Sequence, residues 1–196
     1  ILSELARLGC HTKYLMLDEN KIMPKKSRIL SGTQQLVRYD IEETVALSEI
    51  IDQKIRNCFT NIVGGYDLVL LSDYAKGLLS EELTKFLIQE SQRVGVPVLV
   101  DPKGNDYTKY KGAYCITPNK KELELFWGAD IKGLDDLSGA LERLKLVAGV
   151  EVAMVTLSEE GIAYKQEEFK ISKTKARAVA DVTGAGDTVI AALGFC

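Results

Sequence analysis

A short glycine-rich turn near the end of the chain is the stretch whose residue types point most directly to chemistry. Gly184, Ala185 and Gly186 lead straight into the apolar run 189–193, which suits a packed helix. Backbone N–H groups at a helix start lack helical partners, and the helix dipole adds positive potential, so such a turn binds anions, phosphate above all. Asp187 adds a carboxylate in the first helical turn. An anion pocket beside a proton acceptor is what phosphoryl transfer to a hydroxyl requires.

A purely structural interpretation of the same turn is also open. Two glycines can close a tight turn, and Asp187 can cap the helix without any ligand. Short glycine motifs also recur by chance. Whether the turn is functional therefore depends on what the other elements bring beside it.

Strands that alternate with helices predict an α/β fold around these residues. Continuous apolar runs that end in polar residues are typical of strands buried on both faces of a parallel sheet. Such strands are predicted at 67–73, 96–101, 113–117 and 151–156. The spacing of apolar residues predicts helices at about 80–94, 119–127 and 134–148. The alternation indicates βαβ units and a doubly wound, mainly parallel sheet.

The ends of these strands bring candidate ligand-binding side chains to one rim of the sheet. Asp73, Asp101, Asn119 and Thr156 each lie at or just after the end of a predicted strand. Ligands of open α/β sheets bind beyond the carboxyl ends of the strands. A single polar residue there can be present for solvation alone. Several on the same rim as the glycine turn favour a phosphate-handling site.

The first part of the chain follows a different pattern. A helix ending at Gly9 and a strand at 12–18 are predicted, followed by two half-polar strands within 22–40. The polar faces of this hairpin indicate that it covers a site rather than joins the core sheet. Apolar residues at helical spacing then predict a helix over 41–59. Further strands are expected at 162–164 and, as antiparallel edge strands, within 167–180.

Composition argues against several classes of function. The net charge of −3 over 196 residues gives no basic surface for nucleic acid or an anionic membrane. The four cysteines are scattered and His11 is the only histidine, so free thiols are expected rather than a zinc site or disulfides. With no long apolar span and no signal peptide visible, we expect a cytoplasmic protein. The helix-like opening and the stop soon after Gly186 predict a fragment of a larger protein.

Three motifs in order resemble those of the PfkB (ribokinase-like) sugar and nucleoside kinases. Residues 181–187 resemble that family's D-T-x-G-A-G-D signature, with Val182 where threonine often stands. Residues 119–122 resemble its N-x-x-E motif, and 156–161 resemble the strand-end segment near the nucleotide. Within the family, the likeness is closest to the D-glycero-D-manno-heptose-7-phosphate kinases, the kinase halves of bifunctional ADP-heptose synthesis proteins. That likeness is carried by 28–38, 71–77 and 101–104.

The resemblance implies one ribokinase-like domain over 1–196, with the hairpin as a β lid. It also implies that the protein uses ATP and Mg²⁺, and it leaves open whether K⁺ is needed. It implies that Asp187 is the base and that the amides of Gly184, Ala185 and Gly186 form the anion hole. The implied nucleotide-binding residues are Asn119, Lys120, Lys121, Glu122, Thr156, Ser158 and Gly161, with Glu122 also holding the metal through water. Asn119 and Glu122 equally fit a helix capping box, and Ser158 fits an ordinary turn.

An acceptor that already carries a phosphate needs fixed cations. The candidates are Arg38, Lys76 and Lys103, of which Lys103 is favoured because Pro102 and Gly104 hold it in a tight turn. Each can instead be a solvated surface charge. Asp73 is expected either to bind sugar hydroxyls or to cap the turn that follows it.

The leading hypothesis is an ATP-dependent kinase of the anomeric C1 hydroxyl of a heptose 7-phosphate, in ADP-heptose and lipopolysaccharide synthesis. One alternative is another PfkB kinase, acting on a ketohexose, ribose or a nucleoside. A second alternative, of a different class, is a non-catalytic nucleotide-binding module. Asp187 argues against that module, since pure binding has no use for a base. Pairing of lid strands between subunits predicts a homodimer.

Overall fold

A computed structural model of the protein describes residues 2–32, 34–174 and 184–195. The helices are α1 Leu2–Arg7, α2 Glu49–Ile62, α3 Glu81–Arg93, α4 Lys120–Trp127, α5 Leu134–Ala148 and α6 Ala185–Phe195. The strands are β1 Lys25–Ser31, β2 Gln34–Ile41, β3 Val69–Ser72, β4 Val98–Asp101, β5 Cys115–Ile116, β6 Val152–Thr156, β7 Ile162–Lys165 and β8 Phe169–Ser172.

Strands β3 to β8 form one sheet, in chain order, within the described residues. Strands β3, β4, β5 and β6 pair parallel to one another, and β7 and β8 extend the sheet antiparallel at one edge. The apolar runs of β4 and β6 are buried along almost their whole length, as expected where both faces of a parallel sheet are covered. The predicted doubly wound, mainly parallel α/β fold is confirmed.

Each face of the sheet has a core of its own, because alternate residues of a strand point to opposite faces. On one face, Val100 and Ile116 pack with buried residues of α3, α4 and α5, such as Leu141. On the other face, a smaller cluster surrounds Ile190 of α6. Helix α6 packs across β3 and β4. Its first turn thereby reaches the edge of the sheet where those strands end.

The hairpin predicted ahead of the first long helix is present as β1 and β2, a separate antiparallel pair whose register shifts between Ile29 and Leu30. The apolar side chains of Ile29, Leu36 and Tyr39 are each more than half exposed. Because neither face of the hairpin is buried, its strands contribute little to either core.

Two predictions for the first part of the chain are wrong. Residues 12–18 form a turn and irregular backbone instead of a strand. A strand needs a neighbour for its backbone N–H and C=O groups, and none of the described strands pairs with this segment. The helix predicted over 41–59 begins only at Glu49. Glu42 and the carbonyl of Val45 are instead held against the loop that follows β3.

The predictions for the edge strands and the cysteines are confirmed for the residues that the structure describes. Edge strands are confirmed as β7 and β8, whereas 175–180 lie outside the described residues. The cysteines that the structure describes, Cys10, Cys58 and Cys115, are free thiols. None of the described helices combines the length and the apolar composition needed to cross a bilayer.

Candidate active site at the carboxyl ends of the strands

Backbone hydrogen bonds align the ends of the parallel strands along one rim. The N–H of Asp73 donates to the carbonyl of Asp101 over 2.9 Å. The N–H of Thr156 donates to the carbonyl of Pro118 over 3.1 Å, and Thr156 forms a parallel bridge with Asn119. The four strand-end residues predicted from the sequence therefore lie in two adjacent pairs.

The start of α6 lies on the same rim. The carbonyl of Gly184 accepts hydrogen bonds from the N–H and the hydroxyl of Thr188, each over 2.9 Å. A Cβ atom at Gly186 would lie 3.8 Å from Oδ2 of Asp101, so the turn runs beside the end of β4. The backbone N–H groups of a first helical turn have no helical acceptor and are available to an anion here. Residues 181–183 of the predicted signature lie outside the described residues.

Asp187 presents an exposed carboxylate at the start of α6. The hydroxyl of Tyr74 donates to its Oδ1 over 2.9 Å and lies 3.1 Å from its Oδ2. The hydroxyl of Ser72 lies 3.5 Å from Oδ1. The end of β3 and the loop after it therefore hold the carboxylate beside the turn that opens α6.

Asp73 is buried, with only 5% of its surface exposed. Its Oδ1 accepts from the N–H of Ala75 over 2.7 Å. Its Oδ2 accepts from the hydroxyl of Tyr110 over 2.7 Å and from Nζ of Lys109 over 2.5 Å. Of the two roles expected for Asp73, the structure shows the capping of the following turn.

Lys76 and Gly77 join the loop after β3 to the ends of the hairpin. Nζ of Lys76 lies 2.6 Å from Oε1 of Glu42, and the carbonyl of Lys76 accepts from Nζ of Lys21 over 3.0 Å. Gly77 has a φ of +81°, and a Cβ there would lie 2.1 Å from the carbonyl oxygen of Val45. Only glycine fits this close backbone approach.

The loop after β4 brings three charged groups together. Nζ of Lys103 lies 2.5 Å from Oε1 of Glu122, and this contact raises the pKa of Lys103, so the lysine stays charged. The pKa of Asp101 is raised to about 6, first by burial and then by the neighbouring carboxylates of Glu122 and Asp187, while Lys103 opposes them. The site is thus rich in negative charge beside the turn that opens α6.

Asn119 and Glu122 form the capping box that the sequence allowed at the start of α4. The side chain of Asn119 accepts from the N–H of Glu122, and Oε2 of Glu122 accepts from the N–H of Asn119, each over 3.0 Å. Lys120 and Lys121 open the same helix. The capping interpretation is therefore confirmed, and it leaves Oε1 of Glu122 for Lys103.

The segment after β6 forms a tight turn at the end of the sheet. Ser158 adopts a left-handed conformation with a φ of +55°. Gly161 has a φ of +105°, and a Cβ there would lie 2.1 Å from the carbonyl oxygen of Ser172 in β8. Gly161 is thus required by strand packing, whatever else it contacts. Thr156 lies next to Asn119 along the rim, and Ser158 follows it by two residues.

Arg38 lies in β2 and pairs with Asp40 of the same strand over 3.0 Å, with about half of its side chain exposed. The described contacts of Arg38 therefore remain within the hairpin. The link from the hairpin to the rim runs instead through Glu42 and Lys76.

A cavity of about 760 Å³ lies between residues 14–24, α2 and the loop after β3. Most of its lining is apolar, from side chains such as Leu15, Ile51 and Phe59. Ser72 and Tyr74, which contact Asp187, also line it. The cavity and the exposed carboxylate therefore share two polar side chains.

Sequence reasoning missed the roles of Ser72 and Tyr74, and it placed Asp101 on the rim without assigning it a role in the site. Asp101 had a detectable signal, because it ends an apolar strand in the same way as Asp73. Tyr74 lies 113 residues from Asp187 in the chain, and no local pattern relates the two.

Comparison with protein families matches residues 1–194 to the family described as pfkB family carbohydrate kinase. The chain is 42% identical over 195 residues to the bifunctional protein HldE of Sulfurimonas denitrificans, covering all of this chain and 41% of that protein. It is 50% identical over 180 residues to the bifunctional protein HldE of Nitratiruptor sp., covering 92% of this chain and 38% of that protein. The chain spans about two fifths of the length of these relatives.

Among solved structures, Arabidopsis thaliana ribokinase complexed with ribose and ATP has a similar fold. The TM-score is 0.72 at 22% sequence identity, over 94% of this chain and 59% of that chain. The chain belongs to the pfkB family of carbohydrate kinases, and its fold is ribokinase-like.

Proposed function

We propose that this protein is an ATP-dependent kinase that phosphorylates the anomeric C1 hydroxyl of D-glycero-D-manno-heptose 7-phosphate, in ADP-heptose and lipopolysaccharide synthesis. The observation that supports it most is the exposed carboxylate of Asp187 beside the amides that open α6, on the rim where β3 and β4 end. The similarity to bifunctional HldE proteins over nearly the whole chain favours this acceptor over ribose, a ketohexose or a nucleoside.

In the proposed step, Asp187 accepts the proton of the acceptor hydroxyl as its oxygen forms a bond to the γ-phosphorus of ATP. The bond from that phosphorus to the β,γ-bridging oxygen breaks, and ADP leaves. The backbone amides of Gly184, Ala185 and Gly186 stabilise the negative charge on the transferring group. Phosphoryl transfer depends mainly on positioning and charge stabilisation, so a fixed carboxylate and fixed amides suffice for the protein's part.

The nucleotide is proposed to lie along the rim near the second pair of strand ends. Its contacts would come from Asn119, Lys120, Lys121, Glu122, Thr156, Ser158 and Gly161. Among the described residues, no three carboxylate, histidine or cysteine side chains form a direct metal site. Mg²⁺, which keeps much of its water, fits better through water at Glu122 and would shield phosphate charge when bound.

The 7-phosphate of the acceptor is proposed to bind Lys103, with Lys76 and Arg38 as further cations. Lys103 is half exposed and follows Asp101 by two residues, and the carboxylate of Asp101 lies beside the start of α6. Lys76 and Arg38 have carboxylate partners nearer the hairpin. Asp73 would support the acceptor site indirectly, because its oxygens already accept from three donors.

The proposal treats 1–196 as a single domain in which the hairpin is the lid. Closure of the hairpin would exclude water that otherwise hydrolyses ATP. Exposed apolar side chains on β1 and β2 favour pairing of two lids in a cytoplasmic homodimer.

The proposal is tested by coupled ADP release from ATP-Mg with heptose 7-phosphate, fructose, ribose or adenosine as acceptor. Full-length HldE of Sulfurimonas denitrificans serves as the comparison enzyme. We expect turnover to depend on the heptose and to fall about 10²- to 10⁴-fold in Asp187→Asn. ATP affinity should be kept.

Asp135→Asn is the matched control, since Asp135 is an exposed acid in the first turn of α5, and it should not change turnover. ATP binding without turnover for any acceptor would favour the nucleotide-binding module. Equal turnover with an unphosphorylated sugar would overturn the assignment of the acceptor.

A further inference from the structure

Tyr74 is the described side chain that contacts Asp187 most closely. Its hydroxyl lies 2.9 Å from Oδ1 and 3.1 Å from Oδ2 of the carboxylate, and the shorter distance is within the ordinary range of an O–H···O hydrogen bond. Ser72, the last residue of β3, lies farther away at 3.5 Å. The carboxylate is thus bound mainly by one phenol that comes from a different element.

The backbone that carries Tyr74 is fixed on both sides. Asp73, immediately before it, is buried and bound by Lys109 and Tyr110. Ala75, immediately after it, is held by a hydrogen bond to Asp73 and adopts a left-handed conformation with a φ of +53°. A non-glycine residue takes that conformation only when its surroundings enforce it. The phenol is therefore presented from a rigid base.

The charge around Tyr74 keeps its hydroxyl protonated. The hydrogen bond to Asp187 raises the pKa of Tyr74, as do partial burial and the negative charge of Asp187, while Asp101 adds a smaller effect in the same direction. Ser72 acts in the opposite direction. At neutral pH the phenol therefore remains a donor to the carboxylate.

We infer that Tyr74 is the positioning residue for Asp187, holding the carboxylate in place at the start of α6 while the acceptor hydroxyl approaches. The inference rests on the proposed function, in which Asp187 is the base. Without the phenol, an exposed aspartate on the first turn of a helix samples several rotamers. Loss of a fixed geometry lowers the rate of transfer more than it lowers substrate binding.

The kinetic test compares Tyr74→Phe with the wild-type protein, using heptose 7-phosphate and ATP-Mg. We expect kcat to fall about tenfold or more, with KM for both substrates changed less than threefold and Tm nearly unchanged. Tyr66→Phe, at an exposed tyrosine just before β3, is the matched control and should keep the wild-type kcat. A normal kcat in Tyr74→Phe would overturn the inference. So would a loss of activity that appears only as a higher KM, or a fall in kcat that accompanies a lower Tm.

A second measurement does not depend on activity, so it separates this inference from the proposed function. The titration of Tyr74 is followed by NMR of labelled tyrosine in the wild-type protein and in Asp187→Asn, with Tyr74→Phe to assign the signal. We expect Asp187→Asn to lower the pKa of Tyr74 toward the ordinary tyrosine value. An unchanged titration would show that the two side chains do not interact. If the wild-type protein is inactive but the pKa of Tyr74 still falls in Asp187→Asn, the proposed kinase function is rejected, whereas the hydrogen bond between Tyr74 and Asp187 is supported.

Discussion

The loops that follow β3 and β4 both begin with an aspartate, but the two aspartates have different surroundings. Each starts with an aspartate at the end of an apolar parallel strand, and a backbone hydrogen bond joins Asp73 to Asp101. Asp73 is bound by a lysine, a tyrosine hydroxyl and a backbone N–H. Asp101 is half-buried among other carboxylates, and burial raises its pKa to about 6.

The difference shows that position at a strand end does not decide the role of an acid. Burying a carboxylate is costly unless donors and an opposite charge compensate it. At Asp73 the compensation is internal, so the residue supports the loop that carries Tyr74. At Asp101 the described residues provide no paired cation, and Lys103 pairs with Glu122 instead. The uncompensated acid is the one beside the glycine turn that opens α6.

The largest effect is expected from Asp73→Asn. The variant keeps an oxygen for the N–H of Ala75 but leaves Lys109, whose side chain is 17% exposed, without its charge partner. We expect the free energy of unfolding to fall by about 3 kcal/mol, measured by urea denaturation.

Asp67→Asn is the control for this prediction, since Asp67 is an exposed acid just before β3. A loss in Asp73→Asn of less than about 0.5 kcal/mol would place the Lys109–Asp73 pair with ordinary surface ion pairs. The contrast between the two loops would then be lost.

A smaller effect, on binding rather than stability, is expected from Lys103→Met. If Lys103 binds the acceptor phosphate, KM for heptose 7-phosphate should rise about tenfold, corresponding to about 1.4 kcal/mol, with KM for ATP and the urea midpoint nearly unchanged. Lys109→Met, in contrast, should lower the urea midpoint. An unchanged acceptor KM in Lys103→Met would mean that this lysine only neutralises Glu122.

The smallest effect is expected from Asp101→Asn and depends on pH. The pKa of Asp101 is about 6 in the folded protein against a usual value of 3.8. The folded state therefore binds its proton more tightly, and wild-type stability falls as pH rises from about 4 to about 6. Because asparagine does not titrate, the Asp101→Asn variant lacks this pH-dependent loss of stability. The variant should match the wild type near pH 4 and be about 1 kcal/mol more stable above pH 6, after allowance for solvent screening.

Urea denaturation at several pH values measures this difference. A variant that is less stable than the wild type at pH 7 would show that the charged form of Asp101 is favoured by a partner. In that case the charge of Asp101 would be compensated by a partner, as the charge of Asp73 is.

The sequence predicted the features that depend on nearby residues. The buried strands β4 and β6, the capping box at Asn119 and the hairpin follow from local periodicity and side-chain chemistry. The expected strand at 12–18 failed because a strand is defined by its neighbour. The side-chain partners of Asp73 and Asp187 come from 36 to 115 residues away in the chain. They follow from the fold and not from any local pattern, which is why the sequence left the role of Asp73 open and did not reveal Tyr74.

The two chain segments that flank the hairpin converge on one residue, Lys76, whose side chain binds Glu42 and whose carbonyl binds Lys21. Because the side chains of β1 and β2 are mostly exposed, we expect the hairpin to open locally, and its amides to exchange with solvent, without unfolding of α5. Lys76 is two residues from Tyr74. We therefore expect each opening of the hairpin to disturb the short backbone segment that carries Tyr74, which would couple local unfolding of the hairpin to the order of the proposed base.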